Sequence, residues 1–298
     1  MSEKKYPDYV YERIKLMARK FNVSEDRLLA EFDEFYNTDF VQSDPQFKTV
    51  DDRCKYVLEV LWVRYVSQPP TEDVTVIPFG ITDIRVTSQG AISRIYAITK
   101  RKGEAKPSLS VIVNRGPQST LVDEVQLFYI YPSVKLSRFS SEGNVFFSTS
   151  ITRFENPQPI SEDPLTLLKR IGVVDVKLAE IPNKLSRIVD EEYGYVDEFD
   201  LRGVCGIVQR YNTGKRPSGS DWAVYTISDD SVDPNTDKVS PSGIIIPSQL
   251  TVWVPKRFLK YDVDSKIYCV GTIRVSSSKE PFMNAIYVHP IIAKPLNL

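Results

Sequence analysis

Residues 250–270 read LTVWVPKRFLKYDVDSKIYCV, and residues 109–129 read LSVIVNRGPQSTLVDEVQLFY. Each opens with Leu, Ser or Thr, Val, a variable residue and Val. Each then runs through a polar, basic stretch to Val-Asp at the same offset (Val122-Asp123, Val263-Asp264) and re-enters an apolar run. The five opening residues alternate in the way a half-buried strand alternates. A pattern written twice, 141 residues apart, predicts a duplicated structural unit.

Outward from these stretches the texture stays β. VTVIPFGITDIRV, ISRIYAIT, LSVIV, VQLFYIYPSVKLS and NVFFSTSITRF are rich in Val, Ile, Thr, Tyr and Phe, and are separated by turns such as SQG and KRKGEAKP. The second set is DLRGVCGIVQRY, DWAVYTISD, QLTVWV, SKIYCVGTIRV and PFMNAIYVHPI. The order matches: GITDIRV (80–86) parallels GVCGIVQ (203–209), RIYAIT (94–99) parallels AVYTIS (223–228), and LSVIV parallels LTVWV. Five strands with an ordered element between the third and fourth describe the OB-fold, a Greek-key barrel. NRGPQSTLVDE and PKRFLKYDVD stand in the place of that element. Most Val and Ile are expected to fill the barrels.

The first 66 residues read helical. Apolar residues recur at 10, 14, 17 and 21. Ser24 precedes a second stripe of Leu28, Leu29, Phe32 and Phe35, and a third holds Val50, Cys54, Val57, Leu58, Leu61 and Tyr65. Ser67-Gln-Pro-Pro-Thr marks a boundary. Between the two β sets, Ser161 or Asp163 can cap a helix begun by Pro164, and the acidic VDEEYGYVDEFD leads into the second set. The expected organisation is therefore a mainly β chain of four parts: a helical N-terminal domain (1–70), a first barrel (74–160), an acidic helical linker (161–199) and a second barrel (200–298).

The net charge of −1 conceals an uneven distribution. Residues 74–160 hold 10 Lys/Arg against 6 Asp/Glu, and residues 200–298 hold 12 against 9. Residues 1–73 and 161–199 are each acidic by four charges. Positive charge thus accompanies the β repeats, compatible with a phosphate backbone as partner. No apolar run suits a membrane span, and no apolar leader opens MSEKKYPDYV, so an intracellular site is expected, cytoplasm or nucleoid in a prokaryote and nucleus in a eukaryote. Cys54, Cys205 and Cys269 have neither disulfide nor zinc spacing.

Enzymatic chemistry finds little footing. His289 is the sole histidine. Asp229, Asp230, Asp233 and Asp237 lack the Gly and terminal Glu of a Ca²⁺ loop, and Asp190, Glu191 and Glu192 read as a linker charge run. No phosphate-binding glycine motif appears, and no metal or cofactor is expected. The aromatic and basic residues carry more. OB barrels that hold single strands use a basic groove and aromatic faces on which bases stack. In LTVWV, Trp253 points away from Val252 and Val254, so valines in the barrel put Trp253 on the groove face. Phe282, just after SSSKE, is placed to close over the same groove, with core packing as its competing role, as for Tyr225 and Tyr131. Lys215, Arg216, Lys256, Arg257, Arg274 and Lys279 are candidate phosphate contacts in the second unit. Arg94, Lys100, Arg101, Lys102, Lys106 and Arg138 are their counterparts in the first, where Phe139 is the stacking candidate.

KLSRFSSEGNVFFSTSITRF in the first unit, and DLRGVCGIV with LTVWVPKRF in the second, resemble the large subunit of replication protein A and its archaeal relatives over roughly residues 74–291. The resemblance implies two barrels that bind single-stranded DNA in replication, repair or recombination. Each would stack bases on a third-strand aromatic and on one from the loop between the last two strands. Trp253 matches the first position and Phe282 lies near the second; Phe139 matches the loop position of the first unit. Ile112 stands where that unit's third-strand aromatic is expected, moving the stack to a neighbour such as Tyr96. No zinc-bearing OB domain is expected after the second unit, and the helical N-terminus departs from the family's protein-docking domain while remaining a candidate surface for replication or repair proteins. Two other roles compete: an RNA-binding OB protein, and a scaffold subunit of a nucleoprotein assembly.

Overall fold

A computed structural model describes residues 5–294 except 22, 46, 67–70, 88–89, 139–143, 191–194, 217–220 and 233–237, and except the side chains of 63–66. It divides into two compact units, Met1–Pro70 and Thr71–Leu298.

The first unit is helical, with helices at Asp8–Phe21, Glu25–Tyr36, Asp39–Ser43 and Val50–Val66. Its core is the predicted stripes: Val10, Ile14 and Met17 meet Leu28, Phe32, Cys54, Val57 and Leu61. The Ser24 hydroxyl accepts from the Arg27 amide and starts the second helix. Val50, expected in the third stripe, is exposed, because it is the first residue of its helix. The five-residue helix after Thr38 was not legible, being too short to show a period. Tyr65 lies outside the described side chains.

The second unit holds two five-stranded barrels. Strands 1 to 5 of the first barrel are Thr71–Ile81, Gly90–Arg101, Ser108–Arg115, Tyr129–Arg138 and Val145–Ser148. Strand 1 pairs with strands 2 and 4, strand 2 with strand 3, and strand 5 lies parallel to strand 3 and antiparallel to strand 4. The sheet therefore closes. Strands 1 to 5 of the second barrel are Arg202–Lys215, Asp221–Ser228, Leu250–Val254, Lys266–Val275 and Pro281–Ile292. They repeat every one of these pairings, including the parallel contact between strands 3 and 5. Both barrels are OB-folds. A one-residue bulge in each strand 1, between Pro78 and Gly80 and between Val208 and Arg210, bends the strand so that one segment serves both of its neighbours.

The element between strands 3 and 4 is a 3₁₀ turn (Gly116–Thr120) with a short helix (Leu121–Glu124) in the first barrel. In the second it is only a 3₁₀ turn, Lys256–Phe258. The shared Val-Asp does not occupy equivalent places: Val122 is buried, whereas Val263 is exposed and Asp264 has φ 65°. The first-strand match also shifts, because 80–86 covers the end of strand 1 in the first barrel while 203–209 covers its beginning in the second. STSITRF leaves the first barrel after Ser148 as turns.

Among the described residues, 161–199 hold one short α-helix, Pro164–Arg170, whose first amides are capped by the Asp163 carboxylate rather than by Ser161, and a 3₁₀ helix, Leu178–Asn183. Val174–Asp175 then adds a parallel strand beside Arg202–Gly203. One continuous apolar core runs through both barrels and this segment. Where the barrels meet, the Phe128 and Tyr287 rings pack edge to face at 4.8 Å. A Cβ on Gly80 would lie 2.7 Å from Cδ1 of Ile286, so only glycine permits this approach. The Arg257 guanidinium donates to the carbonyls of Val122 (2.8 Å) and Val125 (3.2 Å), and so caps the helix end of the other barrel.

Candidate nucleic-acid interface

Strand 3 of the second barrel alternates as its sequence dictates. Leu250, Val252 and Val254 are buried and Trp253 is half-exposed. The direct neighbours of Trp253 across the sheet are Val224 and Asn284. Trp222, two residues from Val224 on the same face, packs edge to face with Trp253 at 5.7 Å. Gly214 lies opposite Trp222, and its missing Cβ leaves room for the indole, whose Cζ2 would otherwise be 2.6 Å away. Phe282 is opposite Thr251 and Arg274, on this same outer face. The groove they line continues past Arg210, Arg216, Ile246 and Gln249.

Charge surrounds these rings. The Arg216 guanidinium is 5.9 Å from the Trp253 ring centre, within cation–π range. Arg210 donates to the Thr226 hydroxyl at 3.0 Å. Arg85 comes from the other barrel, on a short strand (Arg85–Thr87) that folds back on Gly90–Ile92 and brings its side chain to the Trp253 groove. Arg85 is exposed at the mouth of the cleft, where partial desolvation, and then the neighbouring Arg216 and Arg94, push its pKa down against the attraction of Asp83. The Nε of Arg274 is buried without a hydrogen-bond partner. Among the described residues, none of Arg85, Arg216 and Arg274 has an ion pair. Asp83 and Asp221 line the same cleft, but the Asp83 carboxylate accepts from the Lys256 amide at 2.7 Å and Asp221 pairs with the Lys256 ammonium. Burial raises the pKa of Asp83 against the lowering pull of that amide and of Arg85 and Arg216.

The predicted residues therefore divide. Trp253, Phe282, Arg216, Arg274 and Arg94 line the cleft and groove. Lys215 is exposed opposite Asp221 on the hairpin leading to it, and Lys256 reaches the same Asp221. Lys279 is exposed in the turn between strands 4 and 5, with φ 65° and its carbonyl accepting from the Ile245 amide. Arg257 does not join them, since its guanidinium is held by carbonyls between the barrels. Lys100, Lys102 and Lys106 are exposed at the far end of strand 2, six or more residues and about 20 Å along the strand from Arg94. Arg101 beside them pairs with Glu104 and Glu72. Arg138 ends strand 4 opposite Phe146. Phe139 lies outside the described residues, as do Glu191, Glu192, Asp233 and Asp237.

Tyr96 does not present an open ring. It is 6% exposed, with its edge against Phe199, and burial raises its pKa to about 12. Ile112 is wholly buried, opposite Ile95 and Phe146, so it points into the barrel. The outward face of the first barrel instead carries Val113, Phe147 and Arg115, with the guanidinium 5.0 Å from the Phe147 ring centre. Tyr225 and Tyr131 are core residues, as their competing role required. Asp229 accepts from the amides of Leu178 and Ser231, a local scaffold role. The His289 imidazole meets the Tyr287 hydroxyl at 3.0 Å.

Sequence reasoning missed Arg85, Arg210, Trp222, Asn284 and Phe147. Arg85 read as part of a long first strand. Trp222 stands at the start of its strand, and the alternation of DWAVYTIS puts it on the face of Val224. Among the described residues no cluster of metal-ligating side chains occurs, and no helix is long and apolar enough to cross a membrane.

No family model matches the chain, and no curated protein matches it in sequence. Among solved structures, a replication protein A heterotrimer bound to single-stranded DNA is similar at 12% identity and a TM-score of 0.41, over 75% of this chain and 50% of that one. The single-stranded DNA binding protein from Thermus aquaticus is similar at 10% identity and a TM-score of 0.22, over 78% of this chain and 98% of that one. The chain thus spans about half the length of the replication protein A chain it matches.

Proposed function

We propose that the protein binds single-stranded DNA, without catalysis, by stacking bases in the groove of the second barrel and holding phosphates on the guanidinium groups around it. The observation that carries this reading is the outward Trp253, flanked by Trp222 and Phe282 and ringed by Arg85, Arg210, Arg216 and Arg274. An aromatic ring on a closed barrel is rigid, so little order is lost when a base lies on it, and each such stack contributes roughly 1–3 kcal/mol. Guanidinium groups that form no ion pair among the described residues (Arg85, Arg216 and Arg274) supply the counter-charge for a backbone that must be desolvated along one edge. Duplex DNA offers no free base faces and binds more weakly in this scheme. The resemblance in sequence to the large subunit of replication protein A supports a role in replication, repair or recombination, with the helical unit as the candidate surface for other proteins of those processes.

The test is fluorescence anisotropy of a labelled oligo-dT of about 30 nucleotides at several salt concentrations, beside a matched duplex and a matched RNA. Binding that weakens with salt and disfavours the duplex supports the proposal, and tighter binding of the RNA would transfer it to the RNA-binding reading. Absence of binding at low salt overturns it in favour of an assembly role.

A further inference from the structure

The cleft between the barrels is lined by Arg85, Arg94, Arg216 and Arg274 and by three carboxylates, Asp83, Glu198 and Asp221. Glu198, from the segment that joins the barrels, reaches across to the guanidinium of Arg94 on strand 2 of the first barrel. Both side chains keep solvent contact, at 36% and 42% exposure, so the pair can open without disturbing the core. The same cleft is lined by Arg85, Arg216 and Arg274, and by Trp222 and Trp253 of the stacking groove. Asp221 pairs with the Lys256 ammonium, Asp83 accepts from the Lys256 amide and attracts Arg85 and Arg216, and Glu198 is the carboxylate paired with Arg94. Arg85 lies close enough to Arg216 and Arg94 for their charges to disfavour its own. Arg85, pressed by Arg216 and Arg94 and only partly offset by Asp83, is stabilised by a further anion held between the two barrels.

Building on the single-strand reading above, we propose that this cleft is the phosphodiester site at which a strand crosses from one barrel to the other, and that Glu198 occupies it in the free protein. A backbone phosphate takes the place of the carboxylate on Arg94 and is shared with Arg85 and Arg216. Glu198 is then released to solvent. An exposed ion pair contributes little to stability, so the exchange is within reach of one phosphate contact.

Glu198→Gln tests this directly, because it removes the competing charge and keeps the shape. With oligo-dT of about 30 nucleotides, E198Q is expected to bind several-fold more tightly than the unaltered protein. Its slope in log K against log salt is expected to stay the same, because both proteins make the same phosphate contacts, whereas loss of the Arg94 contact is expected to flatten it by about 0.7. Arg94→Gln is expected to weaken binding, and in the double variant the gain from E198Q should vanish. Glu198→Ala serves as the second variant, and thermal unfolding shows that each is folded. If E198Q and E198A bind oligo-dT as the unaltered protein does or more weakly, or if the gain persists without Arg94, the proposal falls while the single-strand reading stands. If no variant binds oligo-dT, both fall.

Discussion

The two barrels put nearly the same pentapeptide to opposite uses. In Leu109–Val113 the fourth residue, Ile112, is wholly buried beside Ile95 and Phe146. In Leu250–Val254 the fourth residue, Trp253, faces out, while Val252 and Val254 fill the barrel. Strand pairing and order are the same in both, so the difference is parity alone. A strand set one residue out of phase with its counterpart exchanges its inner and outer faces throughout. The consequence reaches strand 2, where Tyr96 lines the cleft and Tyr225 lies in the core with its hydroxyl bonded to the Phe258 carbonyl at 3.1 Å. One barrel offers two indoles to the groove. The other offers Phe147 beneath Arg115.

This contrast can be broken by mutation. The largest effect is expected for Ile112→Ala, a cavity in a closed barrel, which should lower stability by about 2–5 kcal/mol in chemical denaturation. If the variant is as stable as the parent, Ile112 does not fill the core. Trp253→Ala should do the reverse, leaving the unfolding transition nearly in place while affinity for oligo-dT drops by about 1–3 kcal/mol. Equal losses of stability and affinity in both variants would erase the distinction between the faces. Gly80→Ala probes the junction, where a methyl group must displace Ile286; overpacking of this kind should cost about 1–3 kcal/mol, read as a lower melting temperature.

The smallest effect is expected at Asp83. Partial burial raises its folded pKa above the unfolded carboxylate value, so ionising it costs more in the fold than in the unfolded chain. Its contribution to stability is therefore fully present below the ordinary carboxylate pKa and is lost as pH rises through the raised value. Asp83→Asn keeps an acceptor for the Lys256 amide and removes the buried charge. The variant should match or exceed the parent in stability at pH 7, and any advantage should disappear in acid. A variant less stable at pH 7 than in acid, relative to the parent, would contradict the direction.

Much of this architecture was legible because alternation and turn chemistry are local. The ten strands, the connecting element after each strand 3 and the outward Trp253 all follow from residues within a few places of one another. Parity between distant copies is another matter. The pairing puts Ile95 opposite Ile112 in one barrel and Tyr225 opposite Val252 in the other, a shift of one residue that leaves no mark in composition. The alignment that put Ile112 beside Trp253 was correct for the strand and wrong for the face. Arg257 illustrates the same limit for charge: an arginine before an aromatic reads as a phosphate contact, and only the fold brings the Val122 and Val125 carbonyls to it. Arg85 is the converse, unremarkable in sequence and delivered to the neighbouring barrel by a short hairpin.

The junction of Gly80 with Ile286, together with Arg257 on its two carbonyls, makes the pair of barrels a ruler rather than a tether. Two sites on a flexible leash would gain affinity smoothly as an oligonucleotide grows, since the leash samples many spans. Two sites at a fixed spacing respond in a step. Strands too short to bridge the cleft would bind as to one barrel, and those just long enough would gain the second groove at once. The length at which that step falls would measure the distance between the grooves in nucleotides.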